Sequence, residues 1–163
     1  MSVSPDAKPF EEITHKVIGC AMSVHNKLGP GLKESAYQKA LSLEMETAGL
    51  RFETERAQEI FVDDVPVGLL YLDHLVEEQI VVEEKLFSHL LTNDEVAQVI
   101  TYLCATELKV GLLLNFGRRR LEYKRILPPK DITRWQERIR RYVWNPPDKP
   151  SVNPLSNPLT VRP

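Results

Sequence analysis

Apolar residues recur at intervals of three and four through the first part of the chain. Phe10, Ile13, Val17, Ala21, Val24 and Leu28 trace one stripe, which predicts a helix that ends at Leu28-Gly29-Pro30-Gly31. Gly29 can take a left-handed cap, and Pro30 cannot continue a helix. A second helix starts near Lys33 or Glu34, turns Tyr37, Leu41 and Met45 inward, and stops at Ala48-Gly49. The period then changes to two. Phe52 to Val62, Val65 to Val76 and Ile80 to Lys85 read as strands, joined by Asp63-Asp64 and by Glu77-Glu78-Gln79. Asp94 to Ala105 is helical again, with Val96, Val99, Ile100 and Leu103 as its core stripe. Val110 to Phe116 and Leu121 to Ile126 read as two more strands around Gly117, and Asp131 caps a last helix through Trp144. The order α-α-β-β-β-α-β-β-α, with no internal repeat, predicts a mixed α/β fold.

Composition changes the picture only at the ends. Eight of the 12 prolines lie at or after Pro128, and from Asn145 the chain is Pro, Ser, Asn and a few aliphatics. Such a stretch cannot build its own core. The expected organisation is a flexible lead at 1–9, one folded domain at 10–128, a basic helix at 129–144 and an extended proline-rich tail at 145–163. No apolar run approaches the ~20 residues of a membrane span, and Met1 to Phe10 lacks the pattern of a signal peptide. Cys20 and Cys104 fall in helical apolar stretches and read as buried free thiols. A cytoplasmic, soluble protein is expected.

Charge is segregated. Residues 118–163 hold 12 Lys/Arg against 4 Asp/Glu, which leaves 9 against 19 in residues 1–117. The basic end includes Arg118, Arg119, Arg120, Arg134, Arg138 and Arg141, a distribution suited to phosphates of a nucleic acid.

Three acids stand where the pattern asks for apolar residues. Leu69, Tyr71, Asp73 and Leu75 share one strand face by period two, as do Val81, Glu83 and Lys85 on the next strand. Glu34 lies on the same side of its helix as Tyr37 and Leu41. A three-residue loop at Glu77–Gln79 sets Val76 opposite Ile80, Asp73 opposite Glu83 and Tyr71 opposite Lys85. The carboxylates of Asp73 and Glu83 then sit side by side, Cβ atoms about 5 Å apart. A two-residue loop pairs Asp73 with Val82 instead and sends Glu83 to the other face. Opposed carboxylates need a neutralising charge, and an oxygen-only pair suits Mg²⁺ or Mn²⁺.

Gly31-Leu32-Lys33-Glu34-Ser35-Ala36-Tyr37 resembles the signature of the GxxExxY protein family, a branch of the PD-(D/E)XK nuclease superfamily. Leu28-Gly29-Pro30-Gly31 before it, Asp73 with Glu83-Glu84-Lys85, Gln98 with Tyr102, and Gly111 to Gly117 extend the resemblance over about residues 10–128. The resemblance implies an αβββαβ core, a mixed central sheet flanked by helices, and phosphodiester hydrolysis on nucleic acid, DNA first. It implies Mg²⁺ (or Mn²⁺) on Asp73, Glu83 and the Glu84 backbone carbonyl, with Glu34 adding a carboxylate directly or through water. Lys85 is then the residue that orients water and stabilises charge, and Gln98 and Tyr102 face the phosphate. The second reading is a non-catalytic nucleic-acid-binding or assembly module that keeps the fold; a homo-oligomer is compatible with either. Glu84 departs from the aliphatic residue often found at its position. It joins Ile80 and Val82 on the opposite face, which must be open there or carry a basic partner.

Overall fold

The computed structural model describes residues 10–128 and 143–144. Helix α1 (Glu11–Leu28) and helix α2 (Glu34–Thr47) pack side by side, followed by β1 (Phe52–Val62), β2 (Val65–Val76) and β3 (Ile80–Lys85). Helix α3 (Asn93–Thr106) then crosses to β4 (Val110–Asn115), β5 (Glu122–Ile126) and a short β6 (Val143–Trp144). The six strands lie in sequence order, antiparallel throughout except that β3 and β4 run parallel. Only that pair requires a crossover, and α3 supplies it.

The sheet separates two apolar clusters. On one side Ile80, Val82, Val110, Leu112 and Leu114 meet Val17, Ala21 and Val24 of α1 and Tyr37, Leu41 and Met45 of α2. On the other, Val81 and Leu113 meet Val96, Val99, Ile100 and Leu103 of α3. The central strands are buried on both faces and therefore read as nearly continuous apolar runs. Helix α3 begins one residue before its expected start, because Thr92 caps it and the Glu95 carboxylate returns to the Thr92 N–H at 2.6 Å.

Asp63 and Asp64 both adopt positive φ, +48° and +63°, the two-residue geometry that matches strand twist. The β2–β3 loop is the three-residue form: Val76 pairs with Ile80, Leu75 with Val81 and His74 with Val82. Two expectations fail. Leu70 and Leu72 join Leu75 in the α3-side cluster while Leu69 and Tyr71 are more than half exposed, so the inward face of β2 switches parity between Leu72 and Leu75. Glu55, opposite Asp73 in the β1–β2 register, has φ +50° and breaks the regular ladder there. The β2–β3 ladder also stops at His74, so Tyr71 does not pair with Lys85.

At the C-terminal end, Val143 pairs with Ile126 and Trp144 with Arg125 as strand rather than as the last turn of a helix. The remainder of the expected basic helix, with Arg134, Arg138 and Arg141, lies outside the described residues, as do the lead at 1–9 and the tail at 145–163.

Candidate active site

The loop between α1 and α2 is built to present Glu34. Gly29 closes α1 at φ +62°, ψ −178°, a backbone conformation essentially confined to glycine, and its N–H reaches the His25 carbonyl at 2.8 Å. The fully buried Tyr37 donates its hydroxyl hydrogen to the Gly29 carbonyl and accepts from the Leu32 N–H at 3.3 Å. Its ring stacks on Phe116 at 5.1 Å, and His25 stacks on the same ring at 6.5 Å while bonding the Arg118 carbonyl at 2.7 Å. The tyrosine of the G-x-x-E-x-x-Y pattern is thus scaffold, and its glycine, Gly31, holds a φ of +112° that residues with a side chain rarely adopt. Glu34, at the first position of α2, is left facing out.

Asp73 and Glu83 follow next in register after His74 and Val82, but they do not extend the ladder. The Asp73 N–H donates to Glu83 Oε1 at 3.2 Å, and the Glu84 N–H donates to Asp73 Oδ2 at 2.9 Å. The two carboxylates occupy the places of backbone acceptors, and the strands part there. Glu83 is 2 % exposed. Burial, then the charge of Asp73, push its carboxyl up to about 9, against the smaller opposing pull of the Asp73 N–H and of Lys85. Burial followed by Asp73 also raises Glu34, with Lys85 acting the other way. Tyr102 is raised by burial, then by Glu83, and its hydroxyl accepts from the Gln98 amide at 2.6 Å. Asp73, Glu83, Lys85, Glu34 and the Gln98–Tyr102 pair therefore form one electrostatic neighbourhood.

Lys85 ends β3 opposite Asn115 of the parallel β4. The Asn115 side chain accepts from the Phe87 and Gly117 N–H groups at 2.9 and 3.1 Å and donates to the His89 carbonyl and Glu122 Oε1, both at 3.1 Å. Glu122 in turn accepts from the Leu91 N–H at 3.0 Å. This knot fixes the segment leaving Lys85. Gly117 lies against that segment so closely that a Cβ there would fall 2.6 Å from the Leu86 carbonyl carbon and the Phe87 oxygen. Arg118, Arg119 and Arg120 follow β4 at the same sheet end as Lys85, the last two exposed.

The basic partner that Glu84 required is His74, with Nδ1 3.0 Å from Glu84 Oε1 and both side chains fully buried. The contact does not meet hydrogen-bond geometry, and it is an ion pair only when His74 carries its second proton. Burial raises the Glu84 carboxyl, and His74 is the main influence opposing that. Nε2 of His74 meets Ser42 Oγ of α2 at 2.8 Å. Neither His74 nor Ser42 stood out in the sequence. The three-residue loop already placed His74 diagonal to Glu84 on adjacent strands, which was the available signal.

The sequence profile of the PD-(D/E)XK nuclease superfamily matches residues 11–126. The chain belongs to that superfamily. Three chains of solved structures are also similar, among them "Crystal structure of SSO0001", 19 % identical over 68 % of this chain with a TM-score of 0.45. The chain spans 62 % of the length of that protein. No curated protein matches this one. The mixed sheet flanked by helices on both faces is the PD-(D/E)XK nuclease-like fold. Among the described residues no helix is long and apolar enough to cross a membrane.

Members of the superfamily use divalent metal ions. Among the described residues, no three His, Cys, Asp or Glu side chains are drawn tightly enough together to hold an ion by themselves. The donor set nevertheless fits one. Asp73 and Glu83 offer hard oxygen atoms side by side, and a buried carboxyl held protonated beside a second carboxylate lacks the positive charge that a cation would bring.

Proposed function

We propose that the protein is a metal-dependent nuclease of the GxxExxY branch that hydrolyses phosphodiester bonds of nucleic acid, DNA in the first instance. The observation that supports this is the β2–β3 register, after which Asp73 and Glu83 come into contact, with Lys85 two residues further along β3 and Tyr102 near enough to feel the Glu83 charge. The branch assignment is supported by the fit of Gly31, Glu34 and Tyr37 to its signature and by the scaffold role of Tyr37.

Mg²⁺ or Mn²⁺ would be held by Asp73, Glu83 and the Glu84 carbonyl, with Glu34 reaching it directly or through water. When bound it supplies a polarised phosphate and a more acidic water. Lys85 holds the attacking water by its ammonium hydrogens and offsets the charge that builds on the phosphate oxygens. Gln98 and Tyr102 donate to a non-bridging oxygen and keep the phosphate in line. Arg118, Arg119 and Arg120 neutralise flanking phosphates, and Arg134, Arg138 and Arg141 extend the basic surface. Under this reading the protein acts in the cytoplasm, where two copies acting together would cut two strands.

Cleavage of duplex, single-stranded and branched DNA and of RNA, with Mg²⁺, Mn²⁺ or chelator, tests the reading. Metal-dependent cutting by the wild type, reduced at least ~100-fold in Lys85→Ala, is the expected result. One observation favours a binding module instead: Asp73 and Glu83 already satisfy each other and the adjacent backbone. Nucleic-acid binding that survives Asp73→Ala, with no cleavage under any metal, would establish that alternative.

A further inference from the structure

The segment between β3 and α3 has no regular structure, yet it is held firmly along its length. One side chain, Asn115, spans it. Its Oδ1 accepts from the Phe87 N–H at 2.9 Å, while Nδ2 donates to the His89 carbonyl at 3.1 Å. Glu122 holds the next turn, accepting from the Leu91 N–H at 3.0 and 3.1 Å. Asn115 and Glu122 are 0 and 2 % exposed, so two buried polar groups are committed to the shape of one loop. What that loop presents is a pair of rings. Phe87 packs against the α3-side cluster, and the exposed His89 stacks on it with ring centroids 4.7 Å apart and planes 12° from parallel. His89 Nδ1 donates to the Leu90 carbonyl at 2.8 Å, which sets the orientation of the imidazole. The phosphodiester chemistry proposed above uses neither ring.

The residues beside the rings select the ligand. Gly117 lies against Leu86 and Phe87 too closely to admit a Cβ, and its N–H shares the Asn115 oxygen at 3.1 Å. The Arg118–Arg119–Arg120 turn therefore starts against the same loop, with Arg119 and Arg120 exposed. Neither residues 86–93 nor residues 116–121 include an acidic side chain, on a chain whose net charge is −2. An aromatic face beside guanidinium groups suits a ligand that carries both a flat π-face and phosphates. Bases inside a duplex are stacked on both sides and offer no free face, whereas a single strand, a frayed end or a branch point does. Every base has such a face, so a platform of this kind selects strand structure rather than sequence. A ring already oriented by its own loop also loses little freedom on binding.

We infer that the Phe87–His89 pair is a stacking platform for an unpaired base, with the arginine turn on the phosphates beside it. This assignment rests on the nucleic-acid substrate of the nuclease reading and narrows it to strands with an unpaired base. Fluorescence anisotropy of the full chain in chelator, where nothing is cut, tests it with three labelled probes. These are a short oligothymidylate, a strand of the same length built of abasic residues, and a blunt duplex. The wild type should bind the base-bearing strand more tightly than the abasic one. His89→Ala should weaken binding of the base-bearing strand by roughly 5-fold or more, and should leave the abasic strand and the duplex unchanged. His89→Tyr should restore the lost affinity. His89 is exposed, so both variants should melt with the wild type. An equal loss on all three probes, no loss on the base-bearing strand, or a tyrosine that restores nothing would each overturn the platform. A wild type that binds none of the probes would overturn it together with the nucleic-acid reading. The expected binding pattern without cleavage under any metal would leave the platform standing and count against the nuclease alone.

Discussion

Glu83 concentrates the electrostatic problem of the site in one side chain. Its carboxyl is raised from the ordinary range to about 9, so at neutral pH the native state holds a proton that the unfolded chain has released. A raised native pKa stabilises fully below the unfolded value and is lost as pH climbs through the native one. The metal-free protein should therefore lose thermal stability between pH 6 and 9, and Glu83→Gln should flatten that slope; melting curves in chelator measure both. Mn²⁺ should raise the melting temperature of the wild type more at pH 8 than at pH 6, because it competes with that proton. Gly117 makes a second prediction. A methyl group there meets the backbone of Leu86 and Phe87, which cannot swing aside as a side-chain tip can. Gly117→Ala should cost about 1–3 kcal/mol in urea titrations and should disturb Lys85 through the segment it presses on.

At the scale of elements, β3 carries two chemistries on its two faces. Glu83 faces α3, while Glu84 pairs with His74 beneath α1 and α2. Removing one partner of a buried pair leaves an isolated polar group, whereas replacing both by apolar residues does not. His74→Leu should thus destabilise by about 3–5 kcal/mol, and His74→Leu with Glu84→Leu should recover most of the loss. A double-mutant cycle in urea decides it. Recovery with unchanged cleavage would separate the pair from the chemistry.

The strand limits were legible because Asp63-Asp64, Glu77-Gln79 and the period-two runs punctuate the chain so clearly. The loop length fixed the contact between Asp73 and Glu83, which needs only counting along two strands. The parity switch of β2 was not legible, since it falls where Glu55 of the neighbouring strand takes a positive φ that no period-two pattern announces. Nor was the Asn115–Glu122 knot, whose members look like ordinary polar residues at strand ends until the parallel pairing of β3 with β4 sets them beside Lys85. Val143 and Trp144 read as helix because their pattern is local, while their pairing with β5 comes from residues far away in sequence.

The whole molecule is divided by charge as well as by layers. The acidic β1–β2 hairpin and the arginine turn after β4 lie in different parts of the sheet, and of the two a polyanion meets the second favourably. Each phosphate contact on a duplex contributes about 0.9 to the slope of log affinity against log salt. Replacing Arg119 and Arg120 by alanine should lower that slope by roughly 2 if both touch phosphates, while Asp73→Ala should leave it unchanged. Fluorescence anisotropy across a salt series reads the difference without any cleavage.

The single parallel pairing also bears on how the chain acquires this shape. The β1–β2–β3 meander closes through turns of two and three residues, so Asp73 and Glu83 can meet by local search in microseconds. Lys85 gains its Asn115 neighbour only after β4 arrives by way of the α3 crossover, a longer loop whose closure is entropically dearer. During synthesis the meander emerges after α1 and α2 but before α3 and β4, so the outer edge of β3 stays unpaired and Val81 uncovered until they follow. The rate-limiting step of refolding should accordingly be docking of α3 and β4. Substitutions at Val99 or Leu113 should slow folding, whereas those in the Asp63-Asp64 turn should mainly hasten unfolding.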